Sequence, residues 1–241
     1  MGRIMKEVIL SRRLKAIAGM VTEGSVPADV GCDHAHIPIW LIQTGRIRRA
    51  IALDVAEGPL KMAAMNLTEY GVDSVELRKS DGLERLEAGE ADTLIIAGMG
   101  GALTHRILEQ YPEKVRSFRE IILEPQSEVP QLRTWLRESG FTIVEEELVP
   151  EDGKYYPVMK VLPPGRIPAD RETDEIPEEL ADLFGGCLIR RKDPVLAGML
   201  NRNIRILTDI LGGLNPEQHK ERIAQISLEL SRIRAALERM Q

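Results

Sequence analysis

Val26-Pro27-Ala28-Asp29-Val30-Gly31-Cys32-Asp33-His34-Ala35-His36 is the stretch whose reading decides the fold. It reads as a short buried strand that breaks at Gly31 into a polar turn, after which Ile37-Pro38-Ile39-Trp40-Leu41-Ile42 continues as a packed helix. Strand, glycine turn and helix start together make a ligand site. Gly31 has no Cβ and lets the backbone approach a bound molecule closely, while the N–H groups of the helix start attract polar ligand atoms. Asp29 and Asp33 then restrict the ligand, because two carboxylates repel a pyrophosphate and favour a partner with a cationic or hydroxyl-rich part.

Outward from that stretch, apolar runs alternate with helical periodicity. Leu10, Leu14, Ile17 and Val21 predict an opening amphipathic helix that Gly24 ends. Arg49 to Asp54 reads as a second strand, Gly58 to Tyr70 as a helix capped at Gly71, Val75 to Arg78 as a third strand and Asp92 to Ala97 as a fourth. A helix through Thr104 to Gln110 leads to a fifth strand, Glu120 to Leu123, and a helix over about Val129 to Ser139 follows. Phe141 to Leu148 and Tyr155 to Leu162 flank the turn signal Glu151-Asp152-Gly153, so the sheet should finish in an antiparallel hairpin. The class is therefore α/β, a Rossmann-like doubly wound sheet whose ligands bind beyond the carboxyl ends of the strands. Asp33, Asp54, Asp81, Glu124 and the Gly98 turn all fall at such ends and converge on one cleft.

Pro163-Pro164-Gly165 through Pro168 to about Pro177 is rich in proline and charge and marks a boundary, dividing the chain into residues 1–163 and 164–241. Beyond it Leu196, Leu200, Leu207, Leu211 and Leu214 keep a seven-residue stripe, with Asn203 in the missing step. Asn215-Pro216-Glu217-Gln218 reads as a helix start, and Ile223, Ile226, Leu230, Ile233 and Leu237 continue the pattern. Two helices joined at Gly212-Gly213 should pair as an antiparallel coiled coil, giving a monomer or a coiled-coil-mediated dimer.

Two distant cysteines, Cys32 and Cys187, give no disulfide framework and suit a reducing, cytoplasmic compartment. No 18-residue apolar run predicts a membrane span. Aromatics make up only 4%, too few for a reader of single strands built from stacking platforms. The net charge of −6 disfavours a nucleic-acid partner at first sight, but residues 3–15 carry five Lys/Arg against Glu7 alone, and residues 190–205 five against Asp193 alone. Such clusters, with Arg46, Arg48 and Arg49, suit structured RNA as well as an ordinary solvated face.

Neither Gly-x-Gly-x-x-Gly nor Gly-x-x-x-x-Gly-Lys-Ser/Thr is present, so the usual phosphate cradles are missing. Asp54, 23 residues beyond Gly31, stands where a nucleotide-binding unit offers a carboxylate to a ribose. A ribose-binding acid behind an acidic first turn suits S-adenosylmethionine, which has a ribose, an adenine, an ammonium and a sulfonium but no phosphate. A nicotinamide cofactor and other nucleotide-like ligands remain alternatives on these residues alone. Cys32, Asp33, His34 and His36 are dense in metal-ligand types, but a strand and turn scatter adjacent side chains and there is no second cluster, so no metal is expected.

Leu10-Ser11-Arg12-Arg13-Leu14, the stretch from Ala28 to Pro38, Ser80-Asp81-Gly82-Leu83, Ile96-Ala97-Gly98-Met99-Gly100-Gly101 and Glu151-Asp152-Gly153-Lys154-Tyr155-Tyr156 resemble, in order, the bacterial tRNA adenine-N1 methyltransferases acting at position 22. The resemblance implies a class I methyltransferase domain at 1–163 and a tRNA-holding coiled coil at 164–241. It implies a donor held by Asp29, Gly31, Cys32, Asp33, His34, Asp54, Val55, Asp81, Gly82, Ala97 and Gly98, and an acceptor base near Gly98, Met99, Gly100 and Glu124. Arg12, Arg13, Arg190, Arg191 and Lys192 are the expected tRNA contacts. His36 stands where the family usually has an aromatic, and Glu124 where it usually has glutamine. Another RNA or a small molecule as acceptor, or a non-catalytic assembly protein on a nucleotide fold, are the rival readings.

Overall fold

The run Asp92 to Met99 shows how the sheet is buried: Leu94 and Ile96 face one apolar layer and Ile95 the other, all almost fully shielded. A strand apolar on both faces has to be covered on both faces. A computed structural model describes residues 6–166 and 176–241, and the chain divides into two compact units, Met1–Ala169 and Asp170–Gln241.

In the first unit the elements run α1 (Arg12–Met20), β1 (Pro27–Val30), α2 (His36–Gln43), β2 (Ala50–Asp54), α3 (Glu57–Tyr70), β3 (Val75–Lys79), β4 (Thr93–Met99), α4 (Gly101–Gln110), α5 (Pro112–Ser117), β5 (Glu120–Pro125), α6 (Val129–Glu138), β6 (Thr142–Glu151) and β7 (Lys154–Leu162). The seven-stranded sheet has the order β3-β2-β1-β4-β5-β7-β6. Its first five strands are parallel, and β7 joins β5 and β6 antiparallel. The order reverses between β1 and β4, and a crevice opens at that switch point. Ile17, Ile39, Leu41 and Ala63 from α1, α2 and α3 pack one face with Ile95 and Ile122, while Leu108, Leu132 and Leu136 pack the other with Leu53 and Leu123.

Two buried ion pairs fasten the terminal hairpin. Arg133 of α6 meets Glu146 of β6 at 2.9 Å. Glu120 at the start of β5 accepts from Thr22, Thr93 and Lys160, the last at 2.7 Å.

The second unit comprises α7 (Glu178–Phe184), α8 (Gly186–Arg190), α9 (Pro194–Gly212) and α10 (Lys220–Arg239). Asp193 caps α9 by accepting from the Val195 and Leu196 N–H groups. The helix expected from Asn215 begins only at Lys220: the Asn215 side chain accepts from Glu217 N, and residues 215–219 form a turn. Leu196, Leu200 and Leu207 of α9 and Ile226, Leu230 and Ile233 of α10 are buried, so the apolar stripe covers both helices of the pair. The linker expected between Pro163 and Pro177 falls mostly on residues 167–175, outside the described residues.

Candidate active site

At the carboxyl ends of β1 and β4 lies a cleft of about 420 Å³, within the usual range for small-molecule sites. Its wall begins at Gly31, whose φ of +74° is a left-handed conformation suited to glycine. A Cβ there would run into the Met99 methyl group, which lies directly over this turn. Asp33 and Ala35 also take positive φ, so the turn after β1 coils tightly before α2 starts.

Asp29 is 4% exposed, and none of the described residues donates a hydrogen bond to its carboxylate. Burial, with Asp54 and Asp33 nearby, pushes it up to about 7. A buried carboxyl without donors is a costly arrangement that a cationic ligand relieves. The same burial, with Asp29 and Asp54, drives the Cys32 thiol well up, so it stays neutral. His34 and His36 stack at 5.4 Å, and Asn66 of α3 donates to the His34 carbonyl at 2.9 Å and sits 3.4 Å from the His36 ring nitrogen. Burial and His34 lower the His36 pKa and favour the neutral ring.

The opposite wall is built on a bulge between β4 and β5 at Ala97 to Met99, with Gly98 at φ +77°. The β4–α4 and β5–α6 turns are knitted together: Gln126 N donates to Met99 O, Gly101 N to Ser127 O, and Glu128 caps α4 through Ala102 N. A Cβ on Gly101 would come within 2.7 Å of the Ser127 carbonyl, which accounts for glycine there. Glu124 is fully buried; its Oε2 accepts from Gly98 N and from Arg13 Nη1, both at 2.8 Å, and its Oε1 has no hydrogen-bond partner. Burial raises its pKa, while Arg13 and the Gly98 N–H favour the charged form. Gln126 is near enough to favour that form too, without reaching hydrogen-bond geometry at Oε1.

Of the expected residues, Arg13, Asp29, Gly31, Cys32, Asp33, His34, Ala97, Gly98 and Met99 line the cleft. Glu124 lies behind the lining rather than in it, because its carboxylate turns inward to Gly98 and Arg13. Asp54, Val55, Asp81, Gly82 and Gly100 sit at the strand ends outside the lining; Asp54 is tied to Ala56 N at 2.9 Å. Leu14, Ile37 and Gln126 join the lining without having been singled out, and so does His36, which the sequence marks at the end of the first turn without assigning it a role toward the donor. Arg12 is exposed at the start of α1, Arg191 pairs with Asp193, and Lys192 donates to the Gln241 carbonyl. Among the described residues no group of three or more metal-ligating side chains converges, and no helix is long and apolar enough to cross a membrane.

Residues 10–159 match the family model described as a methyltransferase domain. The tRNA (adenine(22)-N(1))-methyltransferase of Bacillus subtilis is 32% identical over 228 residues, 92% of this chain and 94% of that protein. Among solved structures, the B. subtilis enzyme TrmK superposes with a TM-score of 0.79 at 29% identity, covering 95% of this chain and 99% of that one. The Streptococcus pneumoniae Sp1610 protein in complex with S-adenosyl-L-methionine matches at TM-score 0.79 and 31% identity, over 95% of this chain and all of that one. M. capricolum TrmK with bound S-adenosyl-homocysteine matches at TM-score 0.78 and 26% identity, covering 96% of this chain and 99% of that one. With the doubly wound sheet, the acidic cleft at its switch point and this full-length likeness, the chain belongs to the tRNA (adenine(22)-N(1))-methyltransferase family, on a class I methyltransferase fold.

Proposed function

We propose that the chain methylates N1 of adenine 22 in tRNA in the cytoplasm, with S-adenosylmethionine as donor. The observation that carries the reading is Asp29, a buried carboxylate with no donor of its own, facing a cleft in a family of such enzymes. The residues present fit that donor: Asp29 suits its ammonium, and the Gly31 turn, which lines the same cleft, brings backbone rather than side chain to its methionine end. Asp54 suits the ribose hydroxyls and Asp81 the adenine amino group, each at the end of the next strand outward.

When bound, the donor supplies a methyl group made electrophilic by the sulfonium. Everything else falls to this chain. The first turn, Gly31 to His34, holds the methionine end, and the Gly98 to Gly101 turn, stiffened by its bonds to Ser127 and Glu128, faces it across the cleft. Adenine N1 carries a lone pair once the base is unpaired, so the pocket needs no strong base; it has to align a flipped base with the methyl group. Arg12, exposed at the start of α1, and in the second unit Arg190, Arg191 and Lys192, supply positive charge for the phosphates. Nucleoside mass spectrometry of tRNA incubated with protein and donor tests the reading. The expected product is 1-methyladenosine at position 22, and its absence from tRNA, with methylation of another RNA or a small molecule instead, overturns it.

A further inference from the structure

Arg13 was expected among the phosphate contacts, yet its guanidinium lines the cleft and is held from three sides. It donates to Glu124 at 2.8 Å, lies 3.9 Å from Glu151 at the end of β6, and stands 5.3 Å from the ring of Tyr156 on β7. Its backbone N–H also donates to Glu151. Two carboxylates against one cation leave this wall of the cleft anionic, which is a poor clamp for a phosphate.

What the pair does follows from the peptide between Ala97 and Gly98. The Gly98 N–H is committed to the Glu124 carboxylate on the β5 side. A trans peptide sets its carbonyl antiparallel to its N–H, so the Ala97 oxygen faces the other way, toward the Gly31 turn. The ladder between β1 and β4 ends at Val30 and Ile96, and the Cys32 N–H is taken by Leu53 O, so the Ala97 carbonyl emerges into the cleft.

We propose that Arg13 is a positioning residue: paired with Glu124, it fixes the Ala97–Gly98 peptide so that the Ala97 carbonyl accepts a hydrogen bond from the exocyclic amine of the target adenine. This rests on the function proposed above. In the reaction the N1 lone pair forms the new N–CH3 bond, the C–S bond breaks with its electrons going to sulfur, and the positive charge passes to the adenine. That charge is shared between N1 and the exocyclic nitrogen, so the amine becomes a stronger donor as the bond forms. A carbonyl preset at that amine therefore binds the transition state more tightly than the ground state.

The test compares Arg13→Gln, Arg13→Lys, Glu124→Gln and the double variant Arg13→Gln/Glu124→Gln on tRNA bearing adenine or N6,N6-dimethyladenine at the target position. Arg13→Gln should lower kcat about 100-fold, in the range for losing one preset catalytic hydrogen bond. KM for tRNA, its salt dependence and donor affinity should stay near the parent's, and Arg13→Lys should restore most of kcat. In Arg13→Gln the acid limb of the kcat profile should move to higher pH, since burial of Glu124 is then opposed only by Gly98 N and Gln126. The limb should vanish in the double variant, whose rate should match Arg13→Gln alone. The dimethylated tRNA should slow the parent by a similar factor and Arg13→Gln by nothing further. A raised KM with a shallower salt slope and unchanged kcat would make Arg13 a phosphate contact, and additive losses would make it merely structural; either overturns the proposal. If the parent itself forms no 1-methyladenosine, the proposed function fails instead.

Discussion

Replacing Asp29 by asparagine should make the protein more stable and less able to bind its donor. The carboxyl titrates at about 7 in the fold and near 3.8 when unfolded. Between those values the unfolded chain has lost a proton that the folded chain still holds, so stability falls as pH rises through that window. At 1.36 kcal/mol per pH step, the difference of 3.2 costs about 4 kcal/mol by the time the group is ionised in both states. Asparagine cannot ionise, but its amide is also short of partners, so about 2 to 4 kcal/mol should be recovered at pH 8. For a chain of this size that is about 5 to 10 °C in Tm, read by calorimetric melting at pH 8. At pH 4.5 the gap should shrink to about 1 kcal/mol or less. Titration calorimetry with S-adenosylmethionine should show affinity at least about tenfold weaker, since a buried charge-assisted hydrogen bond is worth upwards of 1.4 kcal/mol. Donor binding to the parent near pH 7 should release up to about half a proton, visible as a dependence of the heat on the buffer. Equal melting of parent and variant at pH 8, or a gap just as wide at pH 4.5, would refute the account of Asp29.

Asp54→Ala should abolish measurable donor binding in calorimetry while costing only about 1 kcal/mol of stability, the usual value of one hydrogen bond such as that to Ala56; undiminished affinity would rule out its ribose role. Glu146→Ala removes the counter-charge from buried Arg133 and should cost about 3 to 5 kcal/mol in urea unfolding, whereas Arg133→Met with Glu146→Leu should recover most of that.

Much of this was readable from local pattern. The apolar runs ending at Gly31, Asp54 and Ala97 reveal the parallel strands, and the acids at or just beyond their ends mark the end of the sheet where ligands bind. The parts that escaped depend on tertiary placement. Arg13 sits on an amphipathic helix with ordinary spacing, and nothing in its neighbours says that α1 lays it across the ends of β5 and β6, 111 and 138 residues away. Glu124 reads as a strand-end acid open to the cleft, but the bulge at Gly98 offers it an N–H and draws it inward. Gln126 enters the lining only because the two turns after β4 and β5 are stitched together. The late start of α10 has a local cause: Asn215 spends its side chain on Glu217 N in a turn rather than capping a helix.

The bond between Arg13 and Glu151 joins the first helix of the catalytic unit to its last hairpin, and Thr22 meets Lys160 over the same separation of 138 residues. During synthesis the nascent chain therefore carries a cleft that lacks one wall until β6 and β7 have left the ribosome. Fragments ending before the hairpin should form the β1–β4 layers without a settled α1. Closing contacts of such high order should make completion of this wall the slow step of folding. Placing the acceptor base, the task proposed above for that wall, is thus a capacity that the chain gains only at the end of its catalytic unit.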